Sequence, residues 1–155
     1  MLVYQFNNGN HRLQCDIYNG YLSHTPYVNG WDLVDSSAHH IVGGYLFDRS
    51  RTKLVTLAKS ESLWERRISI MATLYFIRQN QFEDTLLLAR HLLNDDEDLI
   101  HKAVGWMLRE VGNRNKSCET RFLAKHYKKM PRTMLRYAIE KFDKDERKAY
   151  LTGAV

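Results

Sequence analysis

Two tryptophans, one aspartate and one arginine are the residues of this chain best suited to chemistry. Trp31 and Asp35 stand four residues apart, which on a helix puts an indole face and a carboxylate on the same side, one turn apart. Trp106 supplies a second indole, and Arg67 supplies a guanidinium. Aromatic faces beside a carboxylate attract a cationic ligand, and a nearby arginine can bind a phosphate or orient the carboxylate. The set predicts a site for a positively charged group carried by nucleic acid.

The elements that must position these side chains are helices. Only two prolines and eight glycines occur in 155 residues, and apolar residues recur at helical spacing, as in Leu63, Ile70, Leu74 and Ile77. Pro131 suits the first turn of a helix. We predict helices at residues 10–24, 30–47, 51–59, 62–79, 82–93, 97–112, 116–128 and 131–142.

The longer helices recur about every 30 to 35 residues, each after a shorter helix. Self-similarity at this period predicts one all-α domain over residues 1–155, an α-solenoid of antiparallel helix pairs. The second helix of each pair would line a basic concave face. That face would collect Trp31, Asp35, Arg67, Lys102, Trp106, Arg109, Arg132 and Arg136.

Charge is distributed unevenly along the chain. Residues 1–100 carry nine Lys/Arg against twelve Asp/Glu, a net charge of −3, whereas residues 101–155 carry fourteen against six, a net charge of +8. The basic half is compatible with a surface for a polyanion and equally with a solvated, lysine-rich end.

The cysteines, histidines and hydropathy of the chain bear on its cellular compartment and on metal or membrane binding. The two cysteines, Cys15 and Cys118, lack CxxC spacing, which indicates a reducing cytoplasm and argues against zinc. His39 and His40 point about 100° apart on a helix, so we interpret them as structural histidines rather than metal ligands. No apolar run approaches the roughly 20 residues of a membrane span, so we expect no membrane association.

Four segments carry a resemblance to a known family. They read WDLVDSSAHHIVG, LWERRISIMATLYFIRQNQFEDT, DLIHKAVGWMLREVGNR and MPRTMLRYAIEKF, and together they extend over most of the chain. They resemble the DNA alkylation repair family of HEAT-like-repeat DNA glycosylases, the AlkD type. The resemblance implies a helical solenoid that holds duplex DNA on a basic concave face. It also implies hydrolysis of the N-glycosidic bond of cationic alkylpurines, such as N3-methyladenine and N7-methylguanine, without metal or organic cofactor.

The resemblance also implies roles for individual residues. Trp31 and Trp106 resemble the two aromatic walls of the lesion site, and Asp35 resembles the catalytic carboxylate. Arg67 resembles the arginine that helps to secure the DNA backbone. Further backbone contacts are expected from residues that would share the basic face or follow Pro131 at a helix start, namely Lys102, Arg109, Arg132, Thr133 and Arg136. A solvated helix face accounts equally well for Arg132, Thr133 and Arg136.

Family members usually have more chain ahead of the region that resembles this one. We therefore expect a protein shortened at its N-terminal end, with a first repeat that lacks a cap and allows self-association. Two other functions fit a helical solenoid: a protein that binds duplex DNA without cutting it, and a protein–protein scaffold.

Overall fold

The computed structural model describes residues 1–155, and these form helices joined by short turns, without a strand. One helical path runs from Trp31 through a π-helical turn at His39–Gly43 to Leu46. Short 3-10 turns lie at Thr25–Tyr27, Tyr127–Lys129 and Ile139–Lys141. The α-helices are α1 Leu2–Asn8, α2 His11–Ser23, α3 Trp31–Ala38, α4 Gly44–Leu46, α5 Thr52–Ala58, α6 Leu63–Ala72, α7 Leu74–Arg78, α8 Glu83–His91, α9 Asp98–Arg114, α10 Lys116–His126, α11 Arg132–Ala138 and α12 Lys144–Thr152.

The helices pack in two rows. In the first row (α3, α6, α9 and α11) each helix contacts the next. In the second row (α5, α8 and α10), α5 packs on α6 and α8, while α8 and α10 pack on α9. Buried apolar side chains from both rows form one continuous core. This all-helical architecture is consistent with the predicted α-solenoid, and the first row contains the four helices predicted to carry the site.

Polar contacts between helices repeat at a regular separation along the chain. A group in one helix pair contacts a group in the next pair, 30 to 33 residues further along. This separation lies within the period expected from the sequence. The pairs are Arg67–Asp35, Arg51–Asp84, Arg109–Glu140 and Lys116–Glu146.

Side-chain caps explain where several helices begin. The side chains of Asn10, Ser62 and Asn115 each accept a hydrogen bond from a backbone N–H in the first turn of α2, α6 and α10. Asp143 does the same for α12, which ends at Gly153 in the left-handed conformation (φ 75°). The helix α12 is absent from the sequence prediction, although its cap and its terminal glycine are both visible in the sequence.

Two predicted helices are less regular than expected. The helix predicted over residues 62–79 is divided at Thr73, whose hydroxyl donates to the carbonyl of Ile70 at 2.6 Å. The helix predicted over residues 30–47 contains the π-helical turn, which ends at Gly43 where the backbone meets the next repeat. A Cβ at Gly43 would lie 2.8 Å from the Cβ of Tyr75.

No helix is long and apolar enough to cross a membrane.

Gly105 is required where α9 crosses α11. A Cβ built on Gly105 would lie 2.5 Å from both the carbonyl oxygen of Met134 and the Cβ of Tyr137. We predict that Gly105→Ala lowers the free energy of unfolding by about 1 to 3 kcal/mol, because the two backbones must separate. Urea unfolding measures this change.

Gly20 provides the matched control. It lies in α2, and a Cβ there would meet no atom within 4 Å. Gly20→Ala should raise the free energy of unfolding by about 0.5 kcal/mol, because alanine restricts the unfolded chain. Equal effects of the two substitutions would show that α9 and α11 do not pack as closely as described.

A buried carboxyl group predicts a pH dependence of stability. Glu119 is 1% exposed, and burial raises its pKa to about 8, against the opposing charges of Lys116 and Arg109. Below pH 8 the native state therefore holds a proton that the unfolded state has released above about pH 4.5. Stability falls as pH rises across this window.

Glu119→Gln should remove this contribution, because the amide has no proton to release. As the pH rises from 6.5 to about 9, we expect the free energy of unfolding of the unmodified protein to fall relative to that of the variant. Urea unfolding at several pH values measures this difference. Burial lowers the pKa of His39 from 6.5 to about 4, so His39 changes the stability chiefly between these two pH values, below the range used here. The same pH slope in both proteins would contradict the prediction.

Candidate functional site

A buried ion pair between α3 and α6 is the centre of the candidate site. The Nε of Arg67 donates to Oδ1 of Asp35 at 2.9 Å, and Nη2 donates to Oδ2 at 2.8 Å. The third nitrogen, Nη1, donates to the backbone carbonyl of Leu99 in α9. Arg67 is only 4% exposed, whereas the Asp35 side chain is 14% exposed. A buried guanidinium thus holds three helices of the first row together and fixes the plane of one carboxylate.

The carboxylate lies one turn from an exposed indole. Trp31 is the first residue of α3 and is 58% exposed, which is unusual for the largest apolar side chain. Trp31 and Asp35 are on the same side of the helix because they are four residues apart. The structure therefore presents an open aromatic face next to a carboxylate that solvent can reach.

The contribution of α9 is a stripe of side chains that starts at the Arg67 contact. Leu99, Lys102, Trp106 and Arg109 follow one another at three- and four-residue steps, so they share one face of α9. The pKa of Lys102 is raised, mainly by its hydrogen bond with Asp98. The positive charge of Arg67 opposes this increase, which indicates that Arg67 lies near Lys102. The stripe places Lys102 close to the ion pair and Trp106 one turn further along α9.

Trp106 differs from Trp31 in its surroundings. It is half-buried and packs against the core, and its indole N–H donates to Oε1 of Glu110 at 3.1 Å. The rotamer of Trp106 is thus fixed from within α9, while one part of the ring is left accessible. Both indoles keep exposed surface.

Besides Arg67, whose three nitrogens are all bonded, two predicted DNA-backbone residues make contacts to other helices. Arg109 pairs with Glu140 and lies 3.6 Å from Glu110, and its side chain is 19% exposed. Arg132 is exposed, and its Nη1 donates to the carbonyl of Leu151 at 2.6 Å. These contacts reduce the charge that Arg109 offers to a polyanion and leave Arg132 as a full positive charge.

The other predicted backbone residues are more available. Lys102 forms a 2.9 Å pair with Asp98, and the two side chains are 41% and 58% exposed. The Thr133 side chain is near the same carboxylate, whose pKa is lowered chiefly by Lys102 and to a lesser degree by Thr133. Arg136 is exposed and makes no ion pair. Lys102, Thr133 and Arg136 therefore form a cationic, hydrogen-bonding surface from α9 to α11.

Two residues near this surface were missed by the sequence analysis. Tyr137 packs on Gly105 and is 37% exposed, and Arg147 of α12 lines the same pocket as Arg136 and Tyr137. Arg147 was missed because it lies in a helix that the prediction omitted. Tyr137 lies within a predicted helix, but its position against Gly105 depends on how α9 and α11 pack.

The adjacent histidines do not form a metal site with other ligands. His39 is buried, and burial lowers its pKa to about 4, with a smaller effect from His40. The two rings lie 4.0 Å apart. No three His, Cys, Asp or Glu side chains are grouped in a way that could hold a metal ion.

The fold and this site define a helical repeat protein with an arginine-fixed carboxylate on an open, partly basic surface. The chain belongs to the family of DNA alkylation repair enzymes, which matches residues 1–142. This family consists of DNA repair enzymes. The helix α12 lies beyond the matched residues. A comparison with curated proteins gave no significant match.

The ion pair predicts a large loss of stability when Arg67 is removed. Arg67→Ala leaves Asp35 without its partner and removes the contact to Leu99, so we expect the free energy of unfolding to fall by about 3 kcal/mol. Arg67→Lys should recover only part of this loss, because an ammonium lacks the planar fork that meets both carboxylate oxygens. Urea unfolding of the three proteins provides the measurement.

Lys116→Ala is the control, because the Lys116–Glu146 pair joins helices of neighbouring repeats in the same way but is exposed. We expect its stability to remain close to that of the unmodified protein. If Arg67→Ala were as mild as Lys116→Ala, the buried pair could not have the structural role described.

Proposed function

We propose that the chain is a DNA glycosylase that hydrolyses the N-glycosidic bond of cationic alkylated purines, of the N3-methyladenine and N7-methylguanine type, in duplex DNA. The observation that carries the proposal is the Asp35 carboxylate, fixed by Arg67 and still open to solvent beside the indole of Trp31. Membership of a family of DNA alkylation repair enzymes supports the substrate class.

The chemistry explains why a carboxylate is needed. Alkylation of a ring nitrogen makes the purine a cationic leaving group, so the C1′–N bond breaks with both electrons going to the base. The sugar that remains is an oxocarbenium-like cation, as in glycoside hydrolysis. Asp35 would stabilise that cation and position a water molecule, which adds to C1′ and releases one proton. The step needs no oxidant, reductant or metal.

The Arg67 contact makes Asp35 better suited to this role. A carboxylate that moves freely must be ordered as charge develops on the sugar, whereas one already held by two hydrogen bonds does not. Because Arg67 is buried and also bound to Leu99, it acts on the substrate through Asp35. Arg67 is thus proposed as a positioning residue, and contact with the DNA backbone remains a prediction.

The indoles would contact the lesion and its sugar. A cationic purine or sugar over an indole face gains about 0.5 to 2 kcal/mol, depending on how much water is excluded. Trp31 offers the larger open face, and Trp106 offers a ring held by Glu110. The family that the sequence resembles grips the lesion through the deoxyribose and backbone, and the open position of Trp31 and Asp35 is compatible with that mode.

The DNA backbone would follow the cationic surface from α9 to α11. Lys102, Arg132, Thr133 and Arg136 offer ammonium, guanidinium and hydroxyl donors to successive phosphates. The exposed pair of Lys102 with Asp98 can be exchanged for a phosphate contact at little cost. Arg109 would contribute less, since Glu140 and Glu110 already compensate its charge.

Asp35→Asn tests the catalytic assignment. The amide keeps the shape of the side chain but removes the charge that faces the sugar cation. We expect release of free base from duplex DNA containing N7-methylguanine to slow at least tenfold, which corresponds to about 1.4 kcal/mol of transition-state stabilisation. Binding of the same duplex should stay nearly unchanged.

Arg136→Ala is the matched variant with the opposite expectation. It should weaken DNA binding and reduce its salt dependence, while leaving release by the bound complex nearly intact. Asp35→Asn that releases base at the original rate would refute the role of Asp35. Binding of the duplex without any release by the unmodified protein would instead support a DNA-binding protein without catalytic activity.

A further inference from the structure

A groove between α8 and α10, in the second row, is separate from the candidate site. It has a volume of about 380 Å³, within the range of pockets that bind ligands. Apolar side chains form part of its lining: Phe122 is buried, while Leu86 and Leu87 are half-buried. All of its lining residues lie on α8 and α10, none on the helices that carry Asp35, Arg67 and Trp106.

Three cations surround this apolar lining without acidic partners. Arg90, Arg121 and Lys125 are all exposed, and none of them forms an ion pair. Arg121 makes one contact, from Nε to the carbonyl of Ser117 at 3.3 Å. The single acidic residue in the lining, Glu83, accepts a hydrogen bond from the backbone N–H of Phe82. The groove thus has an uncompensated positive charge.

A nearby histidine responds to this charge. His126 lies at the groove with its ring 4.6 Å from that of Phe122. Burial lowers the pKa of His126, and the charges of Arg90, Lys125 and Lys129 lower it further.

The proposed DNA surface does not account for these cations. Duplex DNA on the first row would contact Lys102 and Arg136, whereas Arg90, Arg121 and Lys125 belong to the second row, which packs behind α9. A phosphate backbone is charged, so it would not pack against an apolar lining. The groove combines both features, which is the pattern of a surface that binds an amphipathic segment of another protein.

We infer that the groove binds an acidic, amphipathic helical segment of a partner protein. Apolar side chains of that segment, spaced at i, i+4 and i+7, would pack on Leu86, Leu87 and Phe122. Its carboxylates would meet Arg90, Arg121 and Lys125, of which the two arginines can form bidentate pairs. Such a partner would bind while DNA occupies the first row, so the protein could be recruited to its substrate by a second protein.

The two cysteines of the chain allow a direct test. Cys118 lines the groove, whereas Cys15 lies in α2, outside it, and both are free and partly exposed. The probe is a synthetic peptide of about 16 residues with leucines at i, i+4 and i+7, three glutamates placed beside them and alanines elsewhere, a composition that favours a helix. We expect the peptide to slow alkylation of Cys118 by iodoacetamide at least fivefold, as measured by mass spectrometry, and to leave Cys15 unchanged.

Charge reversal at the groove separates specific binding from general attraction. Arg121→Glu with Lys125→Glu should weaken peptide binding at least tenfold, whereas Arg132→Glu with Arg136→Glu, on the first row, should change it less than twofold. A peptide with serine in place of each leucine should also lose binding. Circular dichroism checks that both double variants remain folded, and peptide titration by fluorescence anisotropy gives the affinities.

Three results would overturn the inference. One is equal weakening by the two double variants, and another is equal binding of the serine peptide. The third concerns duplex DNA: a loss of affinity in the groove double variant, Arg121→Glu with Lys125→Glu, as large as that in the first-row double variant. Equal losses would identify the groove as a nucleic-acid surface. Base release from alkylated DNA by Arg121→Glu with Lys125→Glu should be unchanged, so failure here is distinguishable from failure of the proposed glycosylase activity.

Discussion

The bidentate contact between Arg67 and Asp35 is the interaction on which both fold and site depend. Burying a guanidinium is unfavourable unless its N–H groups are paired, and Arg67 pairs with a carboxylate of α3 and a carbonyl of α9. The contact therefore requires α3, α6 and α9 to be adjacent. The same geometry leaves the carboxylate with a fixed orientation and a remaining exposed edge. One residue thus connects the packing of three repeats to the orientation of a single reactive group.

This arrangement explains why a solenoid can support catalysis on an open surface. Repeat proteins place equivalent positions of successive helices side by side, so side chains more than thirty residues apart meet without a long loop. The first row supplies a carboxylate and an exposed indole from α3, a buried guanidinium from α6 and further cations from α9 and α11. The second row supports these helices from behind and, through the groove of α8 and α10, offers a separate surface for a protein partner.

Much of the fold follows from the sequence, and the remainder depends on contacts that the sequence does not show. Periodic apolar residues and caps such as Ser62 locate most helices, but α12 has a low apolar content and was missed despite its Asp143 cap. Residue types and spacing single out Trp31, Asp35, Arg67 and Trp106, but their roles came from family resemblance, since helical periodicity alone does not require side chains of different helices to meet. The compensation of Arg109 by Glu140 was not predictable, because it depends on the packing of helices from two repeats.

The central claim is that Asp35, held by Arg67, stabilises positive charge on a deoxyribose. The most direct measurement compares the affinities of the protein for two otherwise identical duplexes, one with a cationic 1-aza-2′-deoxyribose and one with the neutral tetrahydrofuran analogue. The account predicts that the cationic duplex binds at least tenfold more tightly, and that Asp35→Asn removes this preference. Equal affinities for the two duplexes, or a preference that persists in Asp35→Asn, would contradict it.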